Sequence, residues 1–569
     1  MSDKGELHVV LCWHMHQPQY QNQLTGQYEL PWTYLHAIKD YVDMAAHIEA
    51  VPGAKAVVNF APVLLEQLAD YREQVNNYLQ NGTEIQDNLL AALTAEQHPT
   101  SAEERTNLIN SCLRVNKSRV IDRFPPFMQL AELADIFEQQ AQSSIYINDQ
   151  FITDLVVWYH LGWMAETVRR SDVRIHRLQE KGREFSLQDR RELMVLVGEL
   201  LDDVIGRYRR LVNAGQIELA MSPYAHPITP LLLDIQSAHE AMPGAPLPDI
   251  EQYPGGHDRS HWHMVKGIES FEKHFGCKPT GCWPSEGGVS KAALEIVNEY
   301  DFRWAATGET VLRNSLNQHV GESEAAAEDA VNRAYRITGN PMPCFFRDDV
   351  MSDEIGFTYH TWHADDAVSN FIHRLEETAK SHADRKIVLP IILDGENAWE
   401  HYPENAYYFL RTLYEKLVDH PTLKLSTFSE CLDAGVEVAE IPGMVSGSWV
   451  YGTFSTWIGD RDKNRAWEML TDAKEAFDGV MATDTLTKEQ RKTAEIQMAI
   501  CEGSDWFWWF GDYNASDTVS DFEALFRLHL TNLYAMIDKE APEYLAHTFA
   551  HGSGDPTLGG VMRQGQQHD

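Results

Sequence analysis

The stretch G-C-W-P-S-E-G-G-V, Gly281 to Val289, lies between two segments of different periodicity. Before it, Lys278–Cys282, with Pro279 and Gly281, reads as the end of a strand. After it, Ser290 opens an amphipathic run (Ala292, Leu294, Ile296, Val297) that reads as a helix. Strand, glycine-bearing turn and helix form the repeating unit of a parallel α/β sheet. Glu286 stands in the turn with Trp283 beside it, and the glycines allow a ligand close approach. By itself the turn leaves two roles open. Glu286 is either a helix-N-terminal carboxylate meeting the macrodipole or a site residue, since such folds keep their sites in the loops after strands.

The same unit recurs outward from this turn. Leu7–Trp13, Lys55–Phe60, Gly215–Ser222, Phe302–Thr307, Ala334–Ile337, Cys344–Arg347, Lys386–Leu393 and Leu423–Phe428 read as strands, most of them continuous apolar runs. Lys386–Leu393 is the strongest, and its Pro390 suggests a bulge. Helical patterns at Tyr34–Glu49, from Pro62, at His261–Phe275 and at Ala364–Lys380 alternate with these strands, so the fold class expected is α/β with a parallel sheet. From about 80 to 210 the pattern is almost entirely helical and reads as an insertion. Past Ile441 it changes to loops and to helices at Asn464–Phe477, Lys488–Cys501 and Asp517–Ile537. The organisation expected is a catalytic unit over 1–440, including that insertion, and a helical C-terminal domain over 441–569 that contributes to the cleft. His551–Asp569 is expected to fray.

Composition narrows the function classes. The chain has 569 residues, 85 acidic against 47 basic, and a formal charge of −38. Such a surface repels nucleic acid and anionic membranes and suits a neutral substrate. No run approaches the apolar length of a membrane span. The seven Cys residues are scattered with no C-x-x-C pair, so neither a zinc knuckle nor a disulfide framework is signalled. The polar start Met1–Glu6 has no signal-peptide core. These features together read as a reduced, cytoplasmic protein. Fifteen Trp residues hint at carbohydrate, whose rings pack on indole faces.

Candidate site residues cluster after strands. His14 and His16 in H-M-H-Q-P alternate, so on an extended backbone both face one side. Glu218, mid-strand in G-Q-I-E-L, is either a buried hydrogen-bonded carboxylate or a wall of the site. His226 in the next loop is ligand-facing or structural, and Arg347 is an ion-pair partner or a substrate contact. Asp394 is the first polar residue after the strongest strand, opening D-G-E-N-A-W-E-H-Y-P. Paired Asp and Glu residues flanked by Trp and His are the equipment of glycoside cleavage. One carboxylate attacks the anomeric centre while the other, kept protonated by the nearby charge, serves the leaving oxygen. Trp283, Trp449 and Trp506 are the indoles expected to face a sugar.

H-M-H-Q-P, G-Q-I-E-L, G-C-W-P-S-E, D-G-E-N-A-W-E-H-Y-P and G-S-D-W-F-W-W, in this order from residue 14 to 509, resemble the five sequence regions of glycoside hydrolase family 57. T-W-I-G, N-R-A-W and G-S-D-W-F-W-W look most like its α-amylase/amylopullulanase members. The resemblance implies an incomplete seven-stranded parallel (β/α) barrel with a helical C-terminal domain. It implies a retaining hydrolase of α-glucans or maltooligosaccharides, acting on α-1,4 bonds and extending to α-1,6, with Glu286 as nucleophile and Asp394 as general acid/base. Matched by position, His14, His16, Glu218, Arg347, Trp449 and Asp505 would line the sugar subsites. No metal or cofactor is implied.

One departure stands out: the third region more often carries Pro directly before the Glu, whereas here Ser285 intervenes after Pro284. That questions the fine geometry of the turn. Branching enzyme or 4-α-glucanotransferase activity on the same machinery is the nearest alternative to hydrolysis. A metal-dependent polysaccharide deacetylase on a similar barrel would want an H-x-x-x-H pair and an early Asp, and neither is found.

Overall fold

The computed structural model describes residues 6–139, 147–554, 562, 563 and 565. Its sheet has ten strands: β1 (Glu6–Met15), β2 (Ala56–Phe60), β3 (Ile217–Met221), β4 (Gly281–Cys282), β5 (Trp304–Gly308), β6 (Ala334–Ile337), β7 (Cys344–Arg347), β8 (Lys386–Asp394), β9 (Leu423–Leu425) and β10 (Val438–Ile441). Pairing runs β8-β1-β2-β3-β4-β5-β7, parallel throughout. The two ends of this series approach each other without a ladder. Asp348 N donates to Pro390 O (2.8 Å) and Arg347 Nε to Ile392 O (2.8 Å), linking β7 to β8 across the seam. The result is an incomplete (β/α)7 barrel. Outside it, β6 pairs antiparallel with β7 and β10 pairs with β6, and β9 pairs with the first half of β1.

Alternation along the strands explains both layers. Val10 and Cys12 of β1, Val57 of β2, Ala220 of β3, Trp304 and Ala306 of β5, Phe345 of β7, and Val388 and Ile392 of β8 form one apolar cluster, the barrel interior. The intervening residues, among them Val9, Leu11, Trp13, Val58, Leu219, Phe346, Leu389 and Ile391, pack outward in the larger core beneath the helices. Phe428 and Cys431 of the helix Phe428–Ala434 close the interior at the strands' N-terminal end. Continuing the inward positions to the C-terminal rim gives His14, Asn59, Ser222, Arg347 and Asp394.

Two local expectations change. Pro390 makes no bulge, since the β1–β8 register runs unbroken from Glu6↔Lys386 to His14↔Asp394. Its carbonyl points to the β7 seam, where the missing N–H costs no ladder bond. β4 is only two residues long because Pro279 cannot donate, so pairing starts at Thr280 N to Leu219 O (2.8 Å). Between β2 and β3 the chain is helical, from Pro62–Asn81 to the long Leu187–Asn213 that returns it to the sheet. After β10 the described elements are all helical: Arg461–Met481, Lys488–Cys501, Asp505–Trp509, Ser516–Met536 and the short turn Glu543–Ala546. Most of the tail expected to fray lies outside the described residues. No described helix is long and apolar enough to cross a membrane.

Candidate active site

A cavity of about 640 Å³ opens at the polar rim. His14, His16, Glu286, Asp394, Trp449 and Asp505 all line it, so six of the residues singled out above meet in one chamber.

Glu286 owes its position to the backbone. It adopts φ +57°, ψ 27° in the short turn Ser285–Gly287, a left-handed conformation uncommon for a residue with a Cβ. Gly287, also left-handed, bonds back to Pro284 O (2.8 Å), so the turn forms with Ser285 in place of the usual Pro. The following helix is capped by Ser290, whose Oγ accepts from Ala293 N, which leaves Glu286 free of a capping role. Trp449 grips it twice, its backbone N–H on Glu286 O (3.1 Å) and its indole Nε1–H on Oε2 (3.0 Å). Val289 and Gly447 exchange backbone bonds, which fixes the Trp449 loop against the turn.

Asp394 ends β8, opposite His14 in the register, and accepts from Asn397 Nδ2 at 2.9 Å. Burial pushes Glu286 up to about 8, the Asp394 charge adds to this, and the Trp449 bond opposes it. Burial lifts Asp394 to about 6, with Asn397, His16 and Arg347 holding it down. Two carboxyls raised in this way and set in one cavity titrate as a coupled pair that shares a proton near neutral pH.

Three imidazoles stand beside the carboxylates. His16 and His226 stack at 3.9 Å, and His14 lies 5.1 Å from His226. Asn59 Nδ2 donates to His14 Nδ1 (2.7 Å), which places that ring's proton on Nε2. Burial holds His14 and His226 well below the usual range, and their histidine neighbours push the same way. His226, itself at φ +61°, bonds Ser504 Oγ (2.9 Å) and approaches Glu286 Oε1 at 3.7 Å. His16 Nε2 meets Asp505 Oδ1 at 2.7 Å and thereby ties the rim to the helix Asp505–Trp509. His16, His226 and Asp505 are the described residues whose ligand atoms lie close enough together for a metal, within 4.8 Å. Their rings lie face to face, so the nitrogen lone pairs run side by side instead of converging.

Four expected residues lie elsewhere. Glu218 sits at the opposite end of the barrel, two positions below Ala220, accepting from Trp304 Nε1 and Ser429 N; it is a buried, hydrogen-bonded carboxylate. Trp283 is fully buried in the barrel interior, beneath Trp449 with centroids 5.3 Å apart. Arg347 is buried on Asp349 and Asp353, outside the cavity lining, with its guanidinium 5.5 Å from the Trp449 ring and its charge felt by Asp394. Trp506 packs into the core against His529, its Nε1 on Ile500 O. On its helix the positions three and four after Asp505 share that residue's face, so Trp508 and Trp509 line the cavity instead.

Sequence reasoning also missed Glu396, Trp32, His36 and Trp163, all in the lining. Glu396 had a signal: it is two residues past Asp394 in an already singled-out motif. Buried, it accepts from His16 N (3.1 Å), Gln17 Nε2 (3.3 Å) and Tyr41 OH (3.4 Å), and burial and the Asp394 charge raise it well above the usual range.

The family model for glycosyl hydrolase family 57 matches residues 10–442. A curated relative, a 1,4-alpha-glucan branching enzyme of Thermococcus kodakarensis, is 21% identical over 406 residues, 59% of this chain and 56% of its own length. The alignment thus spans little more than half of that relative. The crystal structure of that branching enzyme superposes with a TM-score of 0.58 at 16% identity, covering 93% of this chain and 90% of the other. The α-amylase AmyC of Thermotoga maritima gives 0.57 at 13% identity, covering 95% and 96%. At these identities the structures share the fold.

Proposed function

The chain belongs to glycosyl hydrolase family 57, and on that premise we propose that it is a retaining hydrolase of α-glucans, cutting α-1,4 bonds. The observation that carries the reading is the pair Glu286 and Asp394. They are a buried and a half-buried carboxyl from the ends of separate parallel strands, in one tryptophan-lined cavity, each raised above its usual range.

In the proposed reaction, positive charge developing at the anomeric carbon favours the ionised form of Glu286. The Trp449 indole N–H already supports that form. The pair's proton then belongs to Asp394, which delivers it to the leaving oxygen as Glu286 bonds to the anomeric carbon. Glu286 is now an ester, so its charge no longer opposes ionisation of Asp394. Asp394 takes a proton from the incoming water, which displaces Glu286 with net retention. His14, His16 and Asp505 are positioned for the sugar hydroxyls, and residues 441–569, as a helical domain, complete a cleft begun by the barrel of 1–440.

The second reading is transglycosylation, favoured by one observation: the matched curated relative is a branching enzyme. There a glucan hydroxyl replaces water in the second step. Product analysis on maltoheptaose, glycogen and pullulan separates the readings. Products only shorter than the donor support hydrolysis, longer products or new branches support transfer, and no turnover on any of the three refutes the α-glucan assignment.

A further inference from the structure

Trp32 and His36 of the helix Trp32–His36 line the cavity, and a buried turn of π-helix, Ala37–Tyr41, follows them before the helix Val42–Glu49. Single π-turns inside α-helices recur at functional sites because they rotate side chains out of the regular register. Here the turn gathers three charged or titratable groups. Asp40, fully buried, accepts from His36 Nδ1 on one oxygen (2.7 Å) and from Lys39 Nζ on the other (2.9 Å). Burial works to raise Asp40, but Lys39 and His36 outweigh it and keep the carboxyl below its usual range. The buried Lys–Asp pair is thus self-neutralising, and its outcome is an imidazole with a fixed orientation. Because Nδ1 carries the proton donated to Asp40, Nε2 is the atom left for the cavity that His36 lines.

Aromatic surfaces flank this nitrogen. Trp163 meets the His36 ring edge-on (5.4 Å, 88°) and lies 5.9 Å from Trp32, and both indoles line the cavity. The π-turn itself brings Trp163 there, since Ile38 O accepts the backbone N–H of Ala165 at 3.0 Å, two residues past Trp163. Arg114 covers the Trp32 ring at 5.7 Å. A polar acceptor of fixed direction beside two indoles that line the same cavity matches the alternating chemistry of a glucose ring, apolar on its faces and hydroxylated at its edge.

We propose that His36, held by Asp40 and Lys39, is the polar residue of an outer glucose subsite walled by Trp32 and Trp163, which sets the length of glucan chain the cavity holds. The inference rests on the α-glucan reading. His36 acts by accepting a hydroxyl hydrogen on Nε2 and takes no part in bond cleavage.

The test is calorimetric titration of the Glu286→Gln protein, which binds without turnover, with maltoheptaose and with maltose. Adding His36→Ala is expected to weaken maltoheptaose by about tenfold, the loss of one hydrogen bond. Maltose, which the carboxylate end alone can hold, is expected to weaken by less than about twofold. His36→Gln, which restores an acceptor, is expected to recover most of the maltoheptaose affinity. Thermal melts of all variants identify any that fail to fold, and the Gln variant then carries the comparison. Equal weakening of both sugars, or unchanged maltoheptaose affinity, overturns the subsite. Failure of the Glu286→Gln protein itself to bind maltoheptaose would instead count against the α-glucan reading.

Discussion

On the barrel side, His14, Asn59, Ser222 and Asp394 are each the next inward position after an apolar layer of their strand, so one rule of alternation places the cavity residues His14 and Asp394 and the buried pair beneath them. On the helical side, Trp32, His36, Trp163, Trp508 and Trp509 come from three segments far apart in the chain. Nothing in the periodicity of any one segment shows that it meets the others. The barrel wall is where proton transfer and bond exchange are proposed to occur, and the helical wall is where a chain would be gripped. The two walls are joined at few points, His16 to Asp505, His226 to Ser504 and Trp449 to Glu286.

This contrast can be broken by substitution, and the largest effect belongs to the barrel wall. Glu286→Gln should lower turnover on every α-glucan by roughly 10⁴-fold or more, measured as reducing-end release. Asp394→Asn should cost about 10²- to 10⁴-fold on glucans, whose leaving group needs a proton, while an activated maltosyl fluoride still glycosylates the enzyme. A residual activity above a tenth of wild type in either variant would remove that residue from the chemistry.

Two tryptophan variants sharpen the contrast between core and wall. Trp283→Ala, emptying a fully buried site in the barrel interior, should destabilise the fold by about 3–5 kcal/mol in denaturant unfolding. Trp509→Ala, at the cavity, should instead weaken maltoheptaose with little change in melting. If the two behave alike, the boundary drawn between them is misplaced.

The pH profile is a finer probe. The working state holds one proton on the carboxyl pair, so kcat/KM should be bell-shaped, falling below about pH 6 and above about pH 8. Trp449→Phe removes a hydrogen bond that favours ionised Glu286, which raises its proton affinity. The profile should therefore move to higher pH, by about one unit. A shift to lower pH would show that Trp449 does not support the carboxylate. The smallest effect is expected from a chelator. Turnover on soluble starch should survive it, because the proposed steps use two carboxyls and no Lewis acid. Loss of activity restored by zinc would favour metal chemistry at the histidines.

How much of this could be read from the sequence follows the same division. Most strands were visible as apolar runs, and β6 and β7 coincide with the expected boundaries. Asp394 was visible as the first polar group beyond such a run, and Glu286 as the carboxylate in a glycine-bearing turn between a strand and a helix. Glu218 misled because a carboxylate inside a barrel looks the same at either end. Only the pairing of β3 with its neighbours shows that residue 218 is at the foot and 222 at the rim. Trp506 misled by one helical step, since five residues of helix carry too little periodicity to show which indole faces out. His36 and its π-turn left no trace, because the turn is held by contacts with Ala165 and Trp163 from the far end of the insertion.

The central claim is the division of labour between Glu286 and Asp394, and trapping the intermediate tests it most directly. The Asp394→Asn protein, treated with maltosyl fluoride and digested, should yield one peptide heavier by a maltosyl group, with the ester on Glu286, and wild-type products should keep the α-configuration by NMR. Label on any other residue, or products of inverted configuration, would contradict the account.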